Sequence, residues 1–395
     1  MSRFEFHIQP TLWYGTYSLR KLSSMRFKKA CIVTDASMVS LGVINPVTTM
    51  LKELGISYRI FDQVEPDPSI HTVSVGLQHI LVTKPDLLIA VGGGSVIDAA
   101  KAIMYFCLRV KEEVIKPEVI RKPYFIAVPT TSGTGSEVTS YSVLTDEKTA
   151  AKYPLKDQRM LPDLAILDPM FTETLPSKVI AYAGMDVMTH AIEAYVSKER
   201  HPLADLFVKE ALLLSGESLL PMYKDVSQVS HRMNMLLASA YAGIAFENSG
   251  LGLTHGLAHA LGAAFKLPHG FVNGLLLPQV LTYNEEDPIH GQWIKERYKK
   301  LIPYFEESVI EKAGKDPSLR DVIHVYLDAL DFPKSLKEYG LEEAVFLEVL
   351  PSMIRKAMED FCTKSNPRKS QPEELLRLYL HVYYGERSAR RSAEG

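Results

Sequence analysis

The run DLLIAVGGGSVIDAAK, Asp86 to Lys101, decides the fold. Leu87 to Val91 is an unbroken apolar stretch and reads as a strand. Three glycines follow, and Ser95 to Lys101 then runs without a breaker, so strand gives way to helix across a tight turn. Ser95 and Asp98 stand at capping-box spacing, which predicts that the helix begins at Ser95. Gly92, Gly93 and Gly94 let the backbone approach a ligand closely. The helix start offers free N–H groups and a partial positive charge, a combination suited to a pyrophosphate. The pattern is not GxGxxG, and three glycines after a strand also make a plain turn.

The same rhythm continues on both sides. KKACIVTD (28–35) and SYRIFDQV (57–64) read as strands, with a helix through VSLGVINPVTTMLKELG (39–55) between them. A helix from about Ser69 to Leu81 leads into the strand at Leu87. YFIAVPTT (124–131) is a further strand, SYSVLTDEKTAAKYPL (140–155) a hairpin turning at Asp146-Glu147-Lys148, and LAILDP (164–169) a short strand. Strand, helix, strand in this order predicts a Rossmann-like parallel sheet with crossover helices. From about Ser177 the strand signals fade. AGMDVMTHAIEAYVS, LADLFVKEALLLSGESLLPMYK, RMNMLLASAYAGIAF and EEAVFLEVLPSMIRKAMEDFC all carry helical periodicity. The predicted division is therefore an α/β domain over residues 1–176 and an all-helical domain over 177–395.

Composition narrows the function classes. Net charge is −3 and no basic stripe is interleaved with aromatics, which argues against a nucleic-acid partner. No apolar run reaches transmembrane length, and MSRFEFHIQPTLWYG at the start reads as extended, without the basic-then-apolar order of a signal peptide. The basic end GERSARRSAEG reads as a solvated, frayed tail. Cys31, Cys107 and Cys362 lie far apart with no CxxC, which points to a reducing, cytoplasmic setting.

Chemistry concentrates in two apolar segments. In GMDVMTHAIEAY (184–195), Asp186 and His190 are four apart, so on a helix they share a face. In GLGLTHGLAHALGAAFKLPHG (250–270), His255 and His259 are again four apart, and His269 follows Pro268. A carboxylate with three imidazoles suits a borderline divalent ion such as Fe²⁺ or Zn²⁺. Taken singly, an Asp/His pair at this spacing forms an ordinary hydrogen bond, and a histidine such as His259 packs in a core. Jointly, polar groups buried among Ala, Gly, Leu and Met need a shared partner, and one ion serves several of them.

A second loop, Pro129 to Glu137 (PTTSGTGSE), also follows a strand; Thr130, Thr131 and Thr134 could line the same phosphate-bearing crevice. Asp35, ending an earlier strand, is placed to accept a ribose 2′-hydroxyl and to repel a 2′-phosphate, favouring NAD over NADP. It reads equally well as a helix cap. Lys152, on the returning hairpin strand, could reach a phosphate or ribose.

These motifs carry a resemblance. PDPS (66–69), GGGSVIDAAK, PTTSGTGSEVT, GMDVMTHAIEAY, GLGLTHGLAHALG, LPHG and TKSNPR (363–368) together resemble the iron-containing (group III) alcohol dehydrogenases, across nearly the whole chain. Within that family, AKYPL, LPDLAILDP and PDPSIHTV are most similar to propanol dehydrogenases of propanediol-degrading microcompartments, with the ethanolamine-associated dehydrogenase a near second. Val96 departs from the family, where many members carry Pro after GGGS; Pro is optional in a first helical turn.

The resemblance implies a metal held by Asp186, His190, His255 and His269, with His259 beside the substrate. It implies NAD between the domains, held by Gly94, Ser95, Asp98, Thr130, Thr134, Thr139 and Lys152, with Asp35 at the adenosine-ribose position. It also implies a homodimer or larger homo-oligomer, and association with a microcompartment shell. The chemistry expected is hydride transfer between nicotinamide and the carbinol carbon of a short primary alcohol, with the metal acidifying the hydroxyl or polarising the aldehyde carbonyl. His259 is the candidate proton relay. Phe246, Leu251 and Cys362 are candidates for the pocket wall. A glycerol-dehydrogenase-like enzyme with Zn²⁺ is the alternative, and a lyase resembling dehydroquinate synthase a more distant one, since the stretch around the histidines is apolar rather than basic.

Overall fold

The computed structural model describes residues 5–114, 122–146 and 151–385. By contact the chain forms two units. One holds His7–Leu175 with Ser227–Ile244, and the other the chain up to Phe6, Pro176–Val226 and the chain from Ala245 onward.

The first unit is built on a six-stranded sheet. Its elements are β1 (Thr11–Tyr14), β2 (Lys29–Val33), α1 (Ala36–Ser40), α2 (Asn45–Glu53), β3 (Ser57–Phe61), α3 (Ile70–Thr83), β4 (Leu87–Gly92), α4 (Gly94–Val114), β5 (Tyr124–Pro129), β6 (Tyr141–Asp146), β7 (Ala151–Lys156) and β8 (Leu164–Leu167). The sheet order is β1-β8-β5-β4-β2-β3, every pair parallel, while β6 and β7 form a separate antiparallel hairpin. The predicted hairpin turn begins at Asp146, and residues 147 and 148 lie outside the described residues, as does nearly all of the basic C-terminal end.

Alternation along each strand feeds two cores. Leu88, Ala90, Phe125 and Ala127 pack with Ile97, Ala100 and Ile103 of α4 on one face. Leu87, Ile89, Val91, Ile126 and Val128 pack with Val47 and Leu51 of α2 on the other. Burial on both sides is why β4 reads as a continuous apolar run. After β2 the chain lays β3 on one side and β4 on the other, so the order reverses there. A ligand crevice is expected outside the carboxyl ends of β2 and β4.

Three readings need correction. The helix expected over 39–55 is broken: α1 ends at Ser40, Gly42 takes φ +71°, and α2 restarts at Asn45 with Pro46 in its first turn. The helix after β4 begins at Gly94, one residue before Ser95, with the Gly93 carbonyl accepting from Val96 and Ile97. The capping box does not form there, because Asp98 turns inward: its carboxylate accepts from the Ser136 hydroxyl and from Val143 N. Nor does a single cut at residue 176 describe the chain. Ser227–Ile244 packs with the sheet unit because Gly135 and Gly243 meet without side chains. A Cβ on Gly135 would lie 2.7 Å from the Gly243 Cα, and Ser239 Oγ accepts from Gly135 N at 3.1 Å.

The second unit is helical. It contains α5 (Ser177–Val196), α6 (Ala204–Lys224), the end of α7 (Val229–Ser249), α8 (Leu253–Phe265) and α9 (His269–Glu285). There follow α10 (Gly291–Lys299), α11 (Glu307–Ala313), α12 (Leu319–Ala329), α13 (Leu336–Tyr339), α14 (Glu343–Glu359), α15 (Phe361–Ser365) and α16 (Pro372–Tyr384). Residues 180 and 181 and then every residue from 184 to 196 of α5 are buried, so polar groups on that helix must find internal partners. Among the described residues no helix is long and apolar enough to cross a membrane.

Candidate metal centre

Helix α5 presents Asp186, His190 and Glu193 on one face, at spacings of four and three. Helix α8 brings His255, and His269 opens α9. One donor atom from each of Asp186, His190, His255 and His269 lies within 4.8 Å of the others. Asp186 Oδ1 stands 3.8 Å from His255 Nε2 and 3.7 Å from His269 Nε2. The rings of His190 and His255 stack at 4.6 Å, and the Phe246 ring lies tilted against His190 at the same distance. Asp186, His190 and His255 are buried, whereas the His269 side chain is 31% exposed, so the cluster opens on that side.

The donor set fits a cation on chemical grounds. Burial drives His255 well below the usual histidine range, as does the neighbouring His190, so its imidazole is neutral and keeps a lone pair to give. Burial pushes the Asp186 carboxyl up to about 7, a penalty that a divalent ion would reverse.

Sequence reading missed the groups that hold this cluster. Glu193 is the first. Its carboxylate accepts from Gly252 N at 2.9 Å and Thr254 N at 2.6 Å, and lies 2.6 Å from His255 Nδ1. The start of α8 has no side-chain cap of its own, so this carboxylate and Asn366 Oδ1, which accepts from Leu253 N at 3.1 Å, satisfy its free N–H groups. With Glu193 accepting, the His255 proton sits on Nδ1 and Nε2 faces the cluster. The TKSNPR motif thus acts through Asn366 as a brace for α8. Asn273 is the second missed group, its amide 2.7 Å from Asp186 Oδ1.

His259 stands outside the four-residue cluster. Its ring stacks on His269 at 5.4 Å and its Nδ1 lies 2.9 Å from Asp360 Oδ2. Hydrogen bonds to His259 hold the Asp360 carboxyl below its ordinary range despite burial, so the carboxylate accepts and His259 Nδ1 carries the proton. The buried Cys362 lies beside this pair, and Phe246 and Leu251 are also buried.

The glycine turn of the sheet unit meets the second loop directly. Thr130 N donates to Gly92 O, and a Cβ on Gly94 would lie 2.6 Å from Thr134 Cγ2. Thr131 packs against Gly93 in the same way. Ser95 Oγ accepts from Asp67 N, and Asp67 accepts from Lys152 Nζ at 2.8 Å, so Ser95 and Lys152 share one rim. Asp98 and Thr139 face inward instead. With Ser136 they surround the buried Lys101 ammonium, which donates to Ser136 Oγ and Thr139 Oγ1. Asp35 follows β2 at the order reversal, and one of its oxygens caps α1 by accepting from Ser37 N and Met38 N.

Residues 10–169 match the family described as iron-containing alcohol dehydrogenase, and residues 180–383 match the C-terminal part of the Fe-containing alcohol dehydrogenase family. The chain is 37% identical over 388 residues to the NADPH-dependent butanol dehydrogenase of Clostridium saccharobutylicum, covering 96% of this chain and 98% of that one. It is 35% identical over 405 residues to aldehyde-alcohol dehydrogenase 2 of Entamoeba histolytica, covering 96% of this chain and 46% of that longer one. Among solved structures, the iron-containing alcohol dehydrogenase of Thermococcus thioreducens superposes with a TM-score of 0.84 at 30% identity, over 97% of this chain and all of the other.

Proposed function

Because this chain belongs to the iron-containing alcohol dehydrogenase family, we propose that it interconverts a short-chain primary alcohol and its aldehyde, with NAD as hydride carrier and Fe²⁺ held by Asp186, His190, His255 and His269. The observation that carries this reading is the convergence of one carboxylate and three imidazoles, three of the four buried, within 4.8 Å. Bound there, the ion supplies Lewis-acid chemistry, acidifying an alcohol or polarising a carbonyl. The protein supplies the rest. Glu193 fixes the His255 tautomer, and Asp186 contributes the negative charge. His259, its Nδ1–H committed to Asp360, keeps a lone pair on Nε2 to take the hydroxyl proton, and Asp360 stabilises the imidazolium that results. Buried Phe246, Leu251 and Cys362 suit a small apolar substrate. Propanol as that substrate and a place in a microcompartment rest on the sequence likeness alone.

NAD rather than NADP is argued from Asp35, whose second oxygen is free of the α1 cap at the edge of the crevice predicted by the strand order. The test is an assay of purified, metal-stripped protein with NADH and aldehydes of two to four carbons, before and after adding Fe²⁺. NADH consumption that returns with Fe²⁺ is the expected result; none with any aldehyde would refute the reading. In the same assay Asp35→Gly should move the NADP:NAD ratio of kcat/KM upward by at least about tenfold, since a like-charge juxtaposition costs several kcal/mol. Glycine is tolerated at an N-cap at a cost of only a few tenths of a kcal/mol, so the fold should survive. An unchanged ratio would remove Asp35 from the site.

A further inference from the structure

Asn273 lies four residues after His269 on α9, completely buried, and its amide nitrogen converges on three of the four metal donors. Nδ2 is 2.7 Å from Asp186 Oδ1, 3.1 Å from His255 Nε2 and 3.1 Å from His269 Nε2. Those donors stand farther from one another, Asp186 Oδ1 being 3.8 and 3.7 Å from the two imidazole nitrogens. The amide therefore lies against three of the four donors at once. An NH₂ group has two hydrogens and cannot serve three acceptors at once. Its own carbonyl, Asn273 Oδ1, is buried with no hydrogen-bond partner. A buried orphan carbonyl beside an over-subscribed amide is a poor resting arrangement for a structural asparagine.

We propose that Asn273 is a positioning residue of the metal centre: its amide gathers Asp186, His255 and His269 around one point before the ion arrives, and keeps the Asp186 carboxylate oriented afterwards. This rests on the metal reading above. It adds a residue that touches the donors without belonging to the four. Outer partners of metal ligands orient the ligand atoms, and their loss weakens binding. The hydrogen bond described to Asp186 Oδ1 comes from the Asn273 amide at 2.7 Å.

The test is Co²⁺ titration of metal-stripped protein against a competing chelator, read from the ligand-field absorption of bound cobalt, together with the thermal midpoint with and without Co²⁺. Asn273→Ala should bind Co²⁺ at least about tenfold more weakly than wild type. Asn273→Asp, nearly isosteric, puts an anionic oxygen where the amide stood. It should bind Co²⁺ more tightly and show a larger Co²⁺-induced rise in midpoint. Opposite signs in the two variants are not obtainable from packing alone. A packing role would lower both midpoints by the same amount and leave dissociation constants within about twofold of wild type, a smaller change than loss of an outer partner gives; that result would overturn the proposal. If Asn273→Ala does not fold, Asn273→Asp decides alone on the same criterion. Wild-type protein that binds no Co²⁺ would instead overturn the metal reading, and this inference with it.

Discussion

Protein carrying His255→Ala is expected to purify without stoichiometric iron and to lose on the order of 10³-fold or more in kcat/KM for aldehyde reduction, since Lewis-acid stabilisation is worth several kcal/mol and each 1.36 kcal/mol is tenfold. The substitution removes more than a ligand. Glu193, whose carboxyl burial already pushes up to about 7, loses the imidazole at 2.6 Å and keeps only its bonds to the start of α8. The ring of His190 loses the imidazole stacked on it at 4.6 Å. A 1.0 ratio of iron to protein in this variant, with activity within tenfold of wild type, would take His255 out of the centre. Iron content by elemental analysis and steady-state rates measured on one preparation give both readings.

The second large effect is steric. Gly270 follows His269 at the start of α9, and a Cβ there would lie 2.1 Å from the Tyr182 carbonyl oxygen, 2.7 Å from its carbon and 3.2 Å from Asp186 Cβ. The obstacle is the backbone of α5, which cannot rotate aside as a side chain can. Gly270→Ala should therefore push α9 away from α5, and with it His269 away from Asp186. Overpacking of this kind costs about 1–3 kcal/mol and occasionally more. The variant should unfold at lower denaturant and retain iron poorly. Gly262→Ala in α8 is the control, because its Cβ meets nothing closer than 3.5 Å; a helical Gly→Ala change of that sort should stabilise by roughly 0.5–1 kcal/mol. Equal stabilities for the two variants would mean that α5 and α9 are not in contact as described.

What was legible in the sequence was what local pattern controls. Leu87 to Val91 reads as a strand because both of its faces are buried, and the strand-helix alternation follows from such runs. Asp186, His190, His255 and His269 stand out because polar groups at helical spacing are conspicuous among Ala, Gly and Leu. The same logic would have reached Glu193, seven residues from Asp186 on the same face, and Asn273, four beyond His269. Asp360 carries no such signal: it precedes a five-residue helix and meets His259 only through tertiary packing.

The misreadings have the same origin. Ser95 and Asp98 have the spacing of a cap, but Ser136 and Val143, distant in sequence, offer Asp98 better partners. The placement of Ser227–Ile244 depends on two glycines more than a hundred residues apart in the chain, Gly135 and Gly243, which no periodicity couples. Asp35 serves as the cap of α1. That leaves one carboxylate oxygen for a ribose, and the Asp35→Gly assay separates the two uses.

Anomalous diffraction at the iron edge, from crystals of the iron-loaded protein, tests the central claim most directly. One strong peak within bonding distance of Asp186, His190, His255 and His269 together is the predicted result. A peak bonded instead to His259, Asp360 and Cys362, or to none of the four residues, would contradict it.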